Sequence, residues 1–202
     1  MKKLFLTSQF YKVAEKLVTL VPDVNGQKVA FITTAADTYT EKPWMDADRE
    51  KLKEMGFEVE DYNIKEKTKD ELYEYLKSKD VIFVSGGNTF YLLDHVRKSG
   101  FDSVISRLLD EGKIYIGSSA GSMIMSSDIE PSKLLDKPEL APDLTSFLGL
   151  GLVDSVILPH YGNPKYEERY KNIINDWSNK IKLQLLTDDQ VILIEGDSQK
   201  II

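Results

Sequence analysis

The chain has 202 residues, a formal net charge of −7 at pH 7 and no cysteine. The acidic balance argues against a nucleic-acid partner, because such binding draws its energy from Lys and Arg. Without cysteine there is no disulfide, thiolate nucleophile or cysteine-based zinc site, and no segment approaches the ~20 apolar residues of a membrane helix. We expect one cytoplasmic domain, over residues 1–202, that needs no membrane, metal or cofactor.

Short apolar segments alternate with helical patterns along the chain, which is typical of βαβ units. The predicted strands are 4–8, 28–34, 57–64, 81–85, 114–118 and 152–158. Several are apolar on both faces, as buried parallel strands are. The tail QVILIEGDSQKII predicts two more strands around a Gly-Asp turn, as an antiparallel edge. The pattern indicates an α/β fold with a mostly parallel sheet and helices on both faces.

Two predicted helices carry signals at their ends. Trp44, Met45, Asp48, Leu52 and Met55 mark a helix that is apolar on one side and ends before Gly56. Within this helix, the charged stretch DADREKLKE is interpreted as a solvated face. The next helix starts at Thr68, and Glu71 three residues later completes the pattern of a capping box.

The fifth predicted strand leads into Gly117-Ser118-Ser119-Ala120-Gly121, which fits the pattern G-x-S-x-G. Between a strand and a helix this pattern is typical of a nucleophile elbow, a tight turn that needs small flanking residues. Ser119 is then the candidate nucleophile, and the Ala120 N–H is directed at the same space. Ser118 belongs to the strand end and should face away. A turn of small residues without chemistry is the alternative.

A serine nucleophile needs a base, and the chain has two histidines. His95 lies in a helical stretch that ends at Gly100, where an imidazole can simply favour the helix dipole. His160 follows the apolar segment SVIL in a loop with Pro and Gly, at the end of a predicted strand. Because open α/β sheets bind ligands at such strand ends, His160 is the candidate base.

The oxyanion formed by serine attack needs a second backbone donor besides Ala120. The segment SGGNTF, residues 85–90, ends a strand and starts a helix, so its glycines can turn N–H groups outward. It lacks the spacing of a phosphate-binding P-loop, which argues against nucleotide binding. A plain glycine turn is the alternative.

The segments SGGNTFYLL, YIGSSAGSMI and LPHYG, in this order, resemble peptidase family S51, which contains dipeptidase E and, more distantly, cyanophycinase. The resemblance spans nearly the whole chain. It implies a serine peptidase on a fold related to class I glutamine amidotransferases. It also implies that Ser119 is the nucleophile, His160 the base, and Gly87 and Ala120 the oxyanion donors.

The resemblance also implies a third, acidic member of the triad. In dipeptidase E this residue is a glutamate before a late hairpin, and the matching stretch here is LLTDDQVILIEGD. Asp188 takes the place of the glutamate, and Asp189 could replace it if the loop shifts by one residue. Either carboxylate could hold the imidazole tautomer, while a solvated hairpin entry is the alternative.

The expected substrate is a short peptide. Dipeptidase E prefers an N-terminal aspartate, a preference linked to an arginine that matches Tyr166 here. Lys165 or Arg169 could replace its charge, but neither is equivalent to a bidentate clamp, so we expect no strict demand for aspartate. The residues expected to bind substrate are Gly86, Asn88, Tyr166 and Arg169.

Two other functions stay open at this point. One is hydrolysis of another ester, amide or isopeptide, and the other is a noncatalytic binding protein that retains the pocket. An amidotransferase is disfavoured because that relative uses a cysteine at the elbow. The pattern leaves a monomer and a homodimer equally open.

Overall fold

The computed structural model describes residues 1–202 and contains nine strands. They are β1 (Lys3–Thr7), β2 (Lys28–Ile32), β3 (Glu58–Tyr62), β4 (Val81–Val84), β5 (Ile114–Ser118), β6 (Val156–Leu158), β7 (Leu183–Leu185), β8 (Val191–Glu195) and β9 (Ser198–Ile201). Seven of them form one sheet in the order β3-β2-β4-β5-β1-β8-β9. The first five of that order are parallel neighbours, and β8 runs antiparallel to both β1 and β9.

Seven α-helices surround the sheet. They are α1 (Phe10–Val13), α2 (Pro43–Glu54), α3 (Lys69–Leu76), α4 (Thr89–Ser99), α5 (Phe101–Asp110), α6 (Ala120–Met123) and α7 (Glu167–Trp177). The capping box of α3 forms as predicted, since the Glu71 N–H donates to Thr68 Oγ1 and the Thr68 N–H donates to Glu71 Oε2. No helix combines the length and apolarity needed to cross a bilayer.

Alternate residues of each central strand enter two different cores. On β1, Leu4 and Leu6 pack in the core that includes residues of α3, α4, α5 and α6. Phe5 packs instead in the core that includes residues of α1 and α2. The predicted α/β class, a mostly parallel sheet with helices on both faces, is therefore confirmed.

The stretch predicted as strand 152–158 differs from the expectation. Only Val156–Leu158 is extended, and it pairs in parallel with β7, a strand that the sequence did not predict. These two strands form a separate small sheet, whose apolar side chains pack against Tyr170 and Ile173 of α7. The loop that carries His160 thus follows a strand of this small sheet and not of the main one.

Three central strands end at the same edge of the main sheet. The parallel register places Thr7 of β1 opposite Ser118 of β5, and Val84 of β4 opposite Gly117. The residues that follow these strands therefore emerge side by side. This edge carries the candidate site.

Candidate active site

Ser119 lies in the sharp turn between β5 and α6. Its φ of 49° and ψ of −107° are unusual for a residue with a Cβ, and only two other non-glycine residues of the structure have positive φ. The flanking glycines are required by close backbone contacts. A Cβ on Gly117 would lie 2.7 Å from Ser122 N, and one on Gly121 would lie 2.1 Å from Val84 O.

Three side chains from distant parts of the chain form a continuous row of hydrogen bonds. Ser119 Oγ lies 3.1 Å from His160 Nε2, and His160 Nδ1 lies 2.9 Å from Asp188 Oδ1. An ionised carboxylate only accepts, so Nδ1 carries the hydrogen in this arrangement. Nε2 is then free to accept the proton of the Ser119 hydroxyl.

Ser8, which follows β1 directly, is a fourth member of this row that the sequence did not reveal. Its hydroxyl donates to Asp188 Oδ1 at 2.5 Å and accepts the backbone N–H of His160 at 2.8 Å. It also lies 3.0 Å from His160 Nδ1. The side chain is fully buried. The available signal was its position at the end of a parallel strand, which many serines share without such contacts.

The Asp188 carboxyl lies in a strongly stabilising environment. Burial raises its pKa, but hydrogen bonds from His160, Ser8 and Lys12 outweigh this effect. The net result is a pKa well below the usual range of an aspartic acid. The ionised form of Asp188 is therefore strongly favoured in the folded protein.

Asp189, the alternative acid, points elsewhere. Its Oδ1 accepts the Thr187 hydroxyl at 2.5 Å, and its backbone carbonyl accepts a hydrogen bond from Lys16 Nζ at 2.6 Å. Its carboxylate makes no hydrogen bond to His160. Of the two candidate acids, the structure brings only Asp188 to the imidazole.

Both predicted oxyanion donors have a backbone N–H without a hydrogen-bond partner in the protein. Ala120 is the first residue of α6, where a backbone N–H has no acceptor within its own helix. Gly87 has a φ of +154°, and its N–H has no hydrogen-bond partner in the protein. Gly86 is packed so closely that a Cβ on it would lie 3.2 Å from Ser119 Cβ.

A cavity of about 440 Å³ opens over this row of side chains. Its volume is within the range of small-molecule sites. Its walls include Ser8, Trp44, Gly87, Ser119, His160 and Tyr166. The arrangement can present an activated hydroxyl to a ligand held in the cavity.

Comparison with known proteins identifies the family. The model of peptidase family S51 matches residues 4–202. The chain belongs to this family. It is 34% identical over 196 residues to an uncharacterised peptidase of Listeria monocytogenes, covering 97% of this chain and 96% of that protein. It is also 34% identical over 137 residues to peptidase E of Nostoc sp., covering 68% of this chain and 53% of that protein.

A solved structure supports the same assignment. A crystal structure of a Listeria monocytogenes protein, provisionally assigned as peptidase E, matches with a TM-score of 0.94 at 32% identity. The match covers 100% of this chain and 98% of that one. The protein is thus a peptidase of family S51 with the fold of its solved relative.

The S51 resemblance predicted that Tyr166 and Arg169 contribute to the substrate site, and both line the cavity. The Tyr166 ring stacks on the His160 imidazole at a centroid distance of 5.6 Å. Lys165 Nζ and Arg169 Cζ lie 5.3 and 5.7 Å from the centroid of the Tyr166 ring. The tyrosine beside the imidazole therefore has two cationic side chains close to its ring.

Asn88 does not have the position predicted for it in this S51 peptidase. Its side chain is fully buried, accepts the Tyr91 N–H at 2.8 Å and donates to the Lys137 carbonyl at 3.0 Å. It begins α4 as a helix cap and is not among the residues that line the cavity. Its contacts are structural, because both ends of the amide are used inside the protein.

His95 lies away from the cavity of this S51 peptidase. It is on α4, where its ring contacts Tyr91 edge-on at 4.4 Å. Burial lowers the pKa of this histidine. His160 is therefore the imidazole that the structure brings to Ser119.

Two acids that the sequence did not identify also line the S51 cavity. Asp136 Oδ2 accepts the Thr89 N–H and hydroxyl at 2.9 and 2.5 Å, and burial raises its pKa. Asp48 of α2 is only 1% exposed, although the stretch DADREKLKE was interpreted as a solvated face. That interpretation is wrong for Asp48, because this residue lies on the inner side of the helix.

Proposed function

We propose that this S51 peptidase is a serine peptidase that hydrolyses short peptides. Ser119 is the nucleophile, His160 the general base, and Asp188 the residue that orients the imidazole. The observation that carries the proposal is the row of hydrogen bonds from Ser119 Oγ through both His160 nitrogens to Asp188 Oδ1. The row ends in a cavity large enough for a small peptide.

The first half-reaction follows from this arrangement. As Ser119 Oγ attacks the scissile carbonyl carbon, its proton passes to His160 Nε2. The negative charge on the carbonyl oxygen is stabilised by the N–H groups of Gly87 and Ala120. His160 then gives the proton to the leaving nitrogen, the C–N bond breaks, and the acyl group remains as an ester on Ser119.

The second half-reaction returns the enzyme to its starting state. His160 takes a proton from a water molecule, whose oxygen attacks the ester carbonyl. The bond between the acyl carbon and Ser119 Oγ breaks, and His160 returns the proton to Ser119 Oγ. The peptide bond is thereby hydrolysed to one carboxylate and one amine without any cofactor.

The proposal is tested with a fluorophosphonate probe, which forms a covalent bond only with an activated serine. The wild-type protein should be labelled, and Ser119→Ala should abolish labelling without unfolding the protein. Ser118→Ala is the neighbouring control and should be labelled, because its hydroxyl bonds the Phe10 N–H and makes no hydrogen bond to His160. Ser122→Ala is a poor control, because its hydroxyl bonds both Thr7 and Gly117. Undiminished labelling of Ser119→Ala would overturn the assignment.

The preference among peptides follows from Tyr166. We propose that the enzyme does not demand an N-terminal aspartate, since a tyrosine replaces the expected arginine. A panel of Xaa-Leu dipeptides, compared by kcat/KM at one pH, tests this. An aspartate substrate that leads all others by about a hundredfold, a difference of ~2.7 kcal/mol, would contradict it. Lys165 or Arg169 would then hold the carboxylate.

A further inference from the structure

Asp48 carries a buried oxygen, Oδ2, that has no hydrogen bond of normal geometry, although the Ser118 hydroxyl lies near enough to this carboxyl to favour its charged form. Five buried side-chain polar atoms lack a hydrogen-bond partner: Gln27 Oε1, Thr38 Oγ1, Asp48 Oδ2, Tyr75 OH and Ser155 Oγ. Among these residues, only Asp48 lines the active-site cavity, and only Asp48 carries a carboxyl group. A buried polar group of this kind calls for an explanation, because most such groups are paired.

The position of Asp48 ties it to the nucleophile. It lies one helical turn after Trp44 on α2, so the two residues share a face of the helix. Trp44 Nε1 donates to the Gly86 carbonyl at 3.3 Å, and Gly86 packs against Ser119. Asp48 is thus part of the wall that adjoins the nucleophile, yet it has no place in the row formed by Ser119, His160 and Asp188.

Asp48 also lacks a cation. Its Oδ1 accepts the Tyr11 N–H at 2.9 Å, and no salt bridge reaches it. Arg49, the next residue, pairs instead with Asp46 and Asp61. Ionising a buried carboxyl without a cation is costly.

Asp136, the other acid that lines the cavity, and Asp188, which lies behind His160, have stronger support. Asp188 accepts from Lys12 Nζ at 3.1 Å, and Asp136 receives both donors of Thr89. Burial raises the pKa of Asp48 to about 7, only partly offset by the Ser118 hydroxyl and the Tyr11 N–H. Of the carboxyl groups in this cavity, Asp48 is therefore the one whose ionised form a cationic hydrogen-bond donor would stabilise most.

We propose that Asp48 anchors a primary ammonium group of the peptide substrate. An ammonium group supplies both a positive charge and three N–H donors, which are what Oδ2 lacks. The group is either the α-ammonium of an N-terminal residue or the side-chain ammonium of a lysine. This inference rests on the proposed peptidase function and adds the substrate group that the cavity selects.

Three peptides distinguish these sources. They are alanyl-leucinamide, N-acetyl-alanyl-leucinamide and N-acetyl-lysyl-leucinamide. The wild-type enzyme should favour one of the two ammonium-bearing peptides over the uncharged one by at least about tenfold in kcat/KM. A preference for the first identifies the α-ammonium, and a preference for the third identifies the lysine side chain. Equal hydrolysis of all three would overturn the proposal without any variant.

The variant Asp48→Asn tests whether Asp48 causes the preference for ammonium-bearing peptides. The amide oxygen still accepts the Tyr11 N–H, whereas the negative charge is lost. The preference for the ammonium-bearing peptide should fall by about ten- to a hundredfold. Asp136→Asn is the matched control, and its preference should equal that of the wild type. A loss of preference in Asp136→Asn but not in Asp48→Asn would overturn the assignment.

Fluorophosphonate labelling separates failure of this inference from failure of the proposed function. If the wild type is labelled at Ser119 and Asp48→Asn keeps the full ammonium preference, Asp48 is not the anchor and the serine mechanism still stands. If the wild type is not labelled, the proposed function itself fails.

Discussion

Ser119 and His160 both have backbone conformations that side chains with a Cβ rarely adopt, with φ of 49° and 66°. Such strain costs on the order of 1–3 kcal/mol at each residue and persists only where the surroundings impose it. At Ser119 the close packing of Gly117 and Gly121 imposes it, and at His160 the bond to Ser8 contributes. The two side chains are thereby aimed at each other before any substrate arrives.

Exchanging each of the two neighbouring acids tests which one orients the imidazole. In Asp188→Asn the amide can donate a hydrogen bond to His160 Nδ1. This favours the tautomer with its hydrogen on Nε2, which cannot accept the Ser119 proton. We expect kcat to fall by about a thousand- to ten-thousandfold on a short peptide. Asp189→Asn, the matched control, should stay within about threefold of the wild type, since its carboxylate bonds only Thr187. Similar losses in both variants would contradict the assignment.

Ser8 is expected to act as a positioning residue. Ser8→Ala leaves the His160 N–H without a partner and leaves Asp188 Oδ1 with His160 Nδ1 alone, so kcat should fall by about ten- to a hundredfold while KM changes little. Ser8→Thr retains the hydroxyl and should recover part of the rate. A parallel drop in kcat and in thermal stability, without recovery by threonine, would indicate a purely structural role.

At the scale of the elements, the turn between β4 and α4 depends on a glycine. A Cβ on Gly87 would lie 2.0 Å from the Ala35 carbonyl oxygen. Gly112 also has a positive φ, of +90°, but has open space around it. Gly112→Ala should therefore cost only backbone strain, about 1–2 kcal/mol.

Gly87→Ala adds a backbone clash to that strain and should cost roughly 2–3 kcal/mol more. Urea unfolding of both variants measures the difference. Equal losses of unfolding free energy would show that the loop after β4 can move aside.

Helix α2 carries a pH-dependent cost through Asp48. Its folded pKa, raised to about 7 by burial, lies above the ordinary value near 4, so the folded state binds more protons between these pH values. Its contribution therefore destabilises the fold as pH rises from about 4 to 7, by up to on the order of 4 kcal/mol.

Asp48→Asn removes this dependence. The unfolding free energy of the variant minus that of the wild type should increase from pH 4 to pH 7 and then level off. Groups with lowered pKa values, such as Asp188, contribute equally to both proteins and cancel in the difference. A difference that does not change with pH would show that Asp48 has an ordinary pKa.

At the scale of the whole molecule, local patterns predicted the layers of the fold and the positions of Ser119 and His160. They did so because strand periodicity and the glycine-flanked elbow are properties of short segments. They did not predict the pairing of β6 with β7, the buried position of Asp48 or the contacts of Ser8. The β6–β7 pairing and the contacts of Ser8 depend on which segments meet after folding. For Asp48 two local interpretations disagreed, because helical spacing grouped it with Trp44 and Leu52 whereas the charged stretch DADREKLKE indicated a solvated face.

The position of β1 between β5 and β8 has a consequence during translation. Ser8 and Asp188 are separated by 180 positions in the chain. At roughly 5–20 residues per second, the ribosome adds Asp188 about ten to forty seconds after Ser8. The hydrogen bond between Ser8 and Asp188 therefore cannot form until almost the whole chain has been made. We therefore expect the row of Ser119, His160 and Asp188 to assemble only after the last strands have left the ribosome and joined the sheet.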